Sequence, residues 1–220
     1  MTLGFHEKRG SLPYLTNYKK KLLNSARPFD FRFYAYEVYD TKFVMEEPSI
    51  KVRAAKVDDL DEIEAIVNEV VKEMNAVGNY QWDEVYPLRE NFKTDIDNGE
   101  LWVACEENGT GKVLGMSALT EEQSIEYKEC GWDISIPAIV MHRTAVSTAA
   151  QRRGVAQMFF AKQDEISRQR GYNLCRVDTN RDNLPMQASI KKAGYEYSGD
   201  VRLLTKPESM KFMCFQKHLY

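Results

Sequence analysis

The part of this sequence best suited to chemistry is a predicted strand that is followed by a short basic loop with one glycine and then by a helix. The loop occupies residues 151–156, which are Gln151, Arg152, Arg153, Gly154, Val155 and Ala156. A turn that enters a helix leaves several backbone N–H groups without intrahelical partners, at the positive end of the helix dipole. Gly154 has no Cβ, so an anion can approach the backbone closely. The loop therefore predicts a phosphate or pyrophosphate site, with Arg152 and Arg153 adding positive charge at its rim.

A second motif lies downstream, around another predicted helix. Asn183 stands just before this helix, Met186 follows three residues later, and Gly194 and Tyr195 stand at its end. Neither the GxxxxGK[ST] nucleotide loop nor the GxGxxG dinucleotide fingerprint occurs in the chain. The phosphate-binding interpretation therefore depends on Gln-x-x-Gly-x-Ala, placed directly after a strand and before a helix.

Together the two motifs resemble the GNAT superfamily of N-acetyltransferases, whose signature is Gln/Arg-x-x-Gly-x-Gly/Ala. The resemblance covers about residues 50–218. It implies an α/β (α+β) fold with a mixed, mostly antiparallel twisted sheet, flanked by helices, whose central strands splay apart. It also implies acetyl-CoA (coenzyme A) as cofactor, and transfer of its acetyl group to a primary amine by direct attack in a ternary complex.

The resemblance further implies which residues hold the cofactor. The backbone of Thr144, Ala145 and Val146 would lie along the pantetheine arm. The motif from Gln151 to Ala156 would hold the pyrophosphate through its amides, and Asn183 and Met186 would line the far side of the cofactor. A backbone N–H in the cleft between the strands would then stabilise the oxyanion that develops during transfer.

An attacking amine must first lose a proton, so the reaction needs a base or a water chain. The candidates are His142, Glu121 and Glu122. His142 lies on the strand beside the cofactor, and imidazole exchanges protons near neutral pH. Strand alternation predicts that His142 shares a face with Thr144 and Val146, which leaves a purely structural histidine open. Glu121 and Glu122 follow a strand end and are either catalytic or solvated loop carboxylates.

One position departs from the family pattern. Many members carry a tyrosine seven residues after the equivalent of Asn183, where it protonates the leaving thiolate, whereas this chain has Ile190. Isoleucine donates no proton, so the role is vacant or filled elsewhere. This departure keeps open an alternative hypothesis, a non-catalytic acyl-CoA-binding or sensing module on the same fold.

The acceptor is expected to be a small-molecule or peptide amine. Trp82, Asp83 and Tyr86 follow the first predicted helix, in the region that covers the acceptor cleft in the family, and they either line that cleft or pack. The acidic stretch Glu121–Glu129 favours a cationic acceptor.

Composition excludes several other classes of protein. The chain has 220 residues, is 43% hydrophobic and carries a net charge of −3, which excludes wholesale disorder and argues against broad nucleic-acid binding. It has no apolar stretch of membrane-spanning length and no signal-peptide core, so a cytoplasmic location and no membrane partner are expected. Its four cysteines form no CxxC pair and are predicted to be reduced, and its three histidines have no metal-ligand spacing.

Two regions are predicted along the chain. Residues 1–48 form an N-terminal extension with an aromatic strand, expected to pack on the body or on a partner chain, which leaves a homodimer open. Residues 49–220 form the acetyltransferase-like domain, in the order βααβββαβαββ. Within it we expect a polar loop over 121–133 and a long strand over 134–146.

Overall fold

The computed structural model describes residues 49–107 and 110–220, and the predicted extension 1–48 lies outside them. The strands are β1 Ile50–Ala54, β2 Leu101–Glu106, β3 Val113–Thr120, β4 Ile139–Val146, β5 Leu174–Asn180, β6 Glu196–Val201 and β7 Phe212–His218, and the helices are α1 Leu60–Ala76, α2 Arg89–Asp97, α3 Val155–Gln169 and α4 Leu184–Lys192. This order confirms the predicted succession of elements.

All seven strands form one sheet in the order β1-β2-β3-β4-β5-β7-β6. Every neighbouring pair is antiparallel except β4 and β5, which are parallel and joined through α3. The mixed, mostly antiparallel sheet flanked by helices confirms the predicted fold class. The parallel pair brings the carboxyl ends of β4 and β5 to the same edge, where the motif residues follow.

Helices cover both faces of the sheet, which explains why β3 is buried along its whole length. Phe159 and Ile166 of α3 pack on one face, in a cluster with Met141 and Val177. The apolar stripe of α1 packs on the other face. That second cluster comprises Leu60, Ile63, Ile66, Val67, Trp82, Phe92, Leu101, Val103, Val113, Met116, Ala118 and Ala145. Burial of this area is the main stabilising contribution to such a fold.

The central strands separate after a short paired segment. β4 pairs with β5 only where Ile139–Met141 lies opposite Cys175–Val177. Beyond this point β5 continues to pair with β7 as far as Asn180. The β4 edge from His142 onward therefore faces a gap, as the resemblance implied.

Two predictions between β3 and β4 are wrong. β4 begins at Ile139 rather than at residue 134, because the segment before it turns around Pro137, which has no N–H to donate to a sheet. The stretch 121–133 contains a 3-10 helix, Ile125–Cys130. Tyr127 and Trp132 from this stretch are buried in a third apolar cluster with β7, because the aromatic residues outweigh the acidic ones around them.

All four cysteines are free and buried, as predicted. Within residues 49–107 and 110–220, no helix has the length and apolar character needed to cross a membrane.

Candidate active site

The turn after β4 is held open by unusual backbone angles. Gly154 caps α3 with φ +85°, and Arg152 has φ +64°, which is the left-handed region that most residues avoid. A Cβ built on Gly154 would have no atom within 4 Å, so the space in front of this glycine is empty. The turn therefore presents bare backbone to an approaching group.

Most amides of this turn have no acceptor in the part of the chain that the structure describes. The Gln151 and Arg153 amides donate to the carbonyls of Thr148 and Ala150, each at 3.3 Å. The other amides from Arg152 to the first turn of α3 donate to no atom of the described residues: Arg152, Gly154, Val155 and Ala156. Unpartnered amides at the positive end of a helix form an anion site.

The side chains of the turn contribute less charge than the sequence suggested. Arg153 lies 3.6 Å from the Glu106 carboxylate, and both side chains are mostly buried, so this charge is already balanced. The Gln151 side chain donates to Glu73 of α1 at 3.3 Å. Arg152 is exposed and is the arginine at the rim that contacts no carboxylate of the described residues.

The gap between β4 and β5 opens into a cavity of about 420 Å³. Its walls come from β4, β5, the start of α4, the 3-10 helix and the segments joining α1 to α2 and β6 to β7. Thr144, Asn183 and Met186 line it, as does His142. The Asn183 side chain also accepts a hydrogen bond from the Met186 amide at 3.3 Å, which caps α4.

A bulge in β4 changes the direction of its side chains at the cavity, which His142, Arg143 and Thr144 line. The register of β4 against β3 shifts by one residue between His142 and Ala145, and Arg143 in this interval has φ +46°. Met141 therefore packs on the α3 side and Ala145 on the α1 side, although unbroken alternation would place both on one face. Val146 packs on the α3 side, like Met141, so the prediction that His142 and Val146 lie on the same face of the sheet is wrong.

His142 and Asp178 face each other across the gap. His142 Nε2 lies 3.3 Å from the Glu122 backbone carbonyl oxygen. Asp178 Oδ1 accepts a hydrogen bond of 2.6 Å from the Tyr127 hydroxyl. Burial raises the pKa of Asp178, and the nearby His142 charge partly opposes this. Burial together with the Asp178 charge also raises the pKa of Tyr127, so its hydroxyl keeps its proton and donates.

The two glutamates named as candidate bases do not line the cavity. The Glu121 carboxylate contacts the Arg170 guanidinium and accepts a hydrogen bond from Tyr172 at 3.0 Å, at the far end of the sheet. Glu122 contributes its backbone carbonyl to His142, while its side chain is exposed. Among the three candidates, His142 is therefore the one that the structure brings to the cavity.

A buried ion pair supports the cavity floor. Arg143 Nε and Nη2 donate to the two Asp95 oxygens, each at 2.7 Å, and Nη1 donates to the Tyr86 hydroxyl at 3.3 Å. Burial opposes the charge, but the hydrogen bonds to Asp95 outweigh it and raise the pKa of Arg143. Arg143 is thus neutralised and positioned by α2.

The segment that joins α1 to α2 closes the cavity, and Trp82, Asp83 and Tyr86 of this segment all line it. Of the two interpretations that the sequence left open, lining the cleft or packing, the structure supports the first. Gln81 of the same segment accepts from the Asn180 amide at 3.1 Å, and its carbonyl accepts from Lys206 at 2.8 Å. The segments before α2 and before β7 are thereby joined across the cavity.

Sequence reasoning missed several cavity residues, among them the polar residues Tyr127, Asp178 and Lys206. Asp178 lies five residues before Asn183 near the end of β5, and this position beside the second motif was the signal that could have identified it. Tyr127 and Lys206 lie in segments that connect strands, and no local pattern distinguishes them from other residues of those segments. Ile190, by contrast, is fully buried in the core and donates nothing to the cavity.

The acetyltransferase (GNAT) family matches this chain over residues 63–195. A GNAT-family acetyltransferase of Streptococcus agalactiae is 25% identical with a TM-score of 0.63, over 78% of this chain and 96% of that one. A Listeria monocytogenes GNAT-family acetyltransferase is 19% identical with a TM-score of 0.60, over 77% and 95%. A Salmonella typhimurium protein solved with its cofactor acetyl-CoA is 13% identical with a TM-score of 0.53, over 78% and 94%. No curated protein matches.

The chain therefore belongs to the GNAT acetyltransferase family. The cofactor of this family is acetyl-CoA, which confirms the cofactor prediction. The structure fits this group, because the open space at Gly154 and the unpartnered amides of the turn suit a diphosphate. The unpaired edge of β4 leads from that turn into the cavity, which leaves room for an extended arm.

Proposed function

We propose that this protein transfers the acetyl group of acetyl-CoA to a primary amine, which binds in the cavity between β4 and β5. The observation that carries the proposal is the continuity of β4. One end of its unpaired segment lies at His142 in the cavity, and the other leads to the Gly154 turn, where the amides of Arg152, Gly154, Val155 and Ala156 donate to no atom of the described residues. A cofactor held at the turn and extended along this edge would bring its acyl end to the cavity.

The binding roles follow from this placement. The amides of Arg152, Gly154, Val155 and Ala156 hold the diphosphate, and the exposed Arg152 side chain adds charge. The β4 edge of Thr144, Ala145 and Val146 offers backbone groups to the pantetheine arm, opposite Asn183 and Met186. Acetyl-CoA supplies an activated thioester, and holding it beside the amine accounts for much of the rate enhancement.

His142 is the base in this proposal. A carbonyl oxygen only accepts, so the contact with Glu122 fixes the hydrogen on Nε2 and leaves the lone pair on Nδ1. No described residue donates a hydrogen bond to Nδ1. This nitrogen therefore accepts a proton from the ammonium group of the substrate, directly or through water.

Asp178 and Tyr127 position this base. The Tyr127 hydroxyl holds one carboxylate oxygen of Asp178, and the carboxylate favours the imidazolium that His142 becomes. Since Ile190 is buried, the leaving thiolate takes its proton from solvent in this proposal, or from the imidazolium.

The test is to incubate the full chain with acetyl-CoA and a panel of primary amines while the release of free thiol is followed. The proposal expects amine-dependent thiol release and an acetylated amine of 42 added mass units, one acetyl replacing one hydrogen. Calorimetric binding of coenzyme A without turnover on any amine would contradict the proposal and support the acyl-CoA-binding module, the alternative that Ile190 keeps open.

A further inference from the structure

One wall of the cavity carries a lysine, Lys206, that makes no ion pair with the described residues. Lys206 Nζ donates to the Gln81 carbonyl at 2.8 Å and lies 4.5 Å from the centre of the Tyr86 ring. Within residues 49–107 and 110–220, no carboxylate lies within ion-pair distance of this ammonium group. Its remaining N–H donors are free to contact a molecule in the cavity.

Tyr86 offers a second donor beside this lysine. Its hydroxyl oxygen accepts from Arg143, and its own hydrogen has no acceptor in the described part of the chain. Arg143 itself is matched by Asp95, so it adds little net charge here. The lysine ammonium and the tyrosine hydroxyl thus offer hydrogen-bond donors side by side, while the Asp83 carboxylate acts on the lysine from beyond ion-pair distance.

Other groups that line the cavity accept hydrogen bonds instead of donating them. His142 Nδ1 and the second Asp178 oxygen accept hydrogen bonds and suit an amine. Trp82 and Phe212, both buried, line the same cavity and add apolar surface. A cavity of about 420 Å³ suits a small molecule that carries an amine, a carboxylate and an apolar side chain.

We propose that Lys206 and Tyr86 bind a carboxylate of the acceptor, so that the acceptor is a free amino acid with an apolar side chain. This inference rests on the proposed function, since the α-amine must meet the base at His142. It also replaces the cationic acceptor that the acidic stretch Glu121–Glu129 suggested, because that stretch contributes only Tyr127 to the cavity. Burial lowers the pKa of Lys206, the Asp83 charge partly opposes this, and a bound carboxylate would further favour the charged form.

The test compares amino acids with their carboxamides, which keep the shape and lose the negative charge. Thiol release is measured for leucine against leucinamide, with phenylalanine and methionine and their amides as further pairs. We expect kcat/KM to be at least about 10-fold higher for the acids, although the amides have the more readily deprotonated amine.

Variants assign this preference to the named residues. Lys206→Met is expected to raise the KM for the acids about 10-fold or more and to leave the amides nearly unchanged. Tyr86→Phe, which keeps the ring, should give a smaller change in the same direction. Lys211→Met, an exposed lysine of the same segment outside the cavity, is the matched control and should change neither. Thermal unfolding of each variant reports whether it is folded.

The outcomes separate the two proposals. Turnover of the amides at or above the rate of the acids, or equal loss on both with Lys206→Met, would overturn the acceptor class and leave the acetyltransferase proposal standing. No turnover on any amine would overturn both.

Discussion

The Gly154 turn and the β4–β5 cavity meet at one strand but recognise their ligands by different means. The turn is made of consecutive residues and presents backbone amides, with few side chains taking part. The cavity is built from side chains of well-separated segments, and two of its charged groups are held by partners, Asp178 by Tyr127 and Arg143 by Asp95. The turn should therefore tolerate most side-chain changes that leave the backbone accessible, whereas single substitutions in the cavity should be costly.

The largest effect on the cavity side is expected at the buried ion pair. Asp95→Ala leaves the Arg143 charge buried without its partner, which should lower the free energy of unfolding by about 3–5 kcal/mol. Urea unfolding measures this. The matched control is Asp97→Ala on the same helix, because its exposed pair with Lys93 is screened by solvent and should contribute little to stability. Equal losses in the two variants would show that the cavity floor does not depend on this pair.

The base separates catalysis from cofactor binding. His142→Gln should lower kcat by about 100-fold or more, since amine deprotonation loses its acceptor, while calorimetric affinity for coenzyme A stays the same. His218→Gln, at the end of β7 and outside the cavity, is the control and should leave kcat unchanged. Full activity of the His142→Gln protein would contradict this assignment and would indicate that water or Asp178 is the base.

The smallest effect is a pH dependence of stability at Asp178. Burial raises the pKa of Asp178 in the folded state above its ordinary value of 3.8. The stabilisation that comes with the protonated carboxyl is therefore complete below pH 3.8 and is lost as the pH rises through the raised pKa. Asp178→Asn removes this titration but still accepts from Tyr127. Urea unfolding at pH 4 to 7 should therefore show the variant gaining stability relative to the parent as pH rises. A difference that stays constant across this range would contradict the assignment.

These two regions also differ in what the amino-acid sequence reveals. The Gly154 turn could be predicted because its determinants are adjacent: a strand, a glycine in the left-handed region and a helix start. The order of elements followed from local periodicity for the same reason. The bulge at Arg143 could not be predicted, because it arises from pairing with β3 and reverses the alternation expected for Val146.

The cavity was predicted only in part. Trp82, Asp83 and Tyr86 were placed near it by the resemblance, whereas Lys206 and Tyr127 arrive from segments distant in sequence. Glu121 illustrates the converse error, since a carboxylate close to a strand end in sequence pairs with Arg170 and Tyr172 instead. Side-chain sites assembled by tertiary contacts leave little local signal.

The central claim, that backbone amides of the Gly154 turn hold the diphosphate of the cofactor, is tested most directly by calorimetric titration with coenzyme A. Gly154→Glu places a bulky anion in the open space and should weaken binding by at least about 100-fold. Gly154→Asn, which tolerates the left-handed backbone and adds no charge, should retain much more of the affinity. A folded Gly154→Glu protein that binds coenzyme A as tightly as the parent would contradict the account.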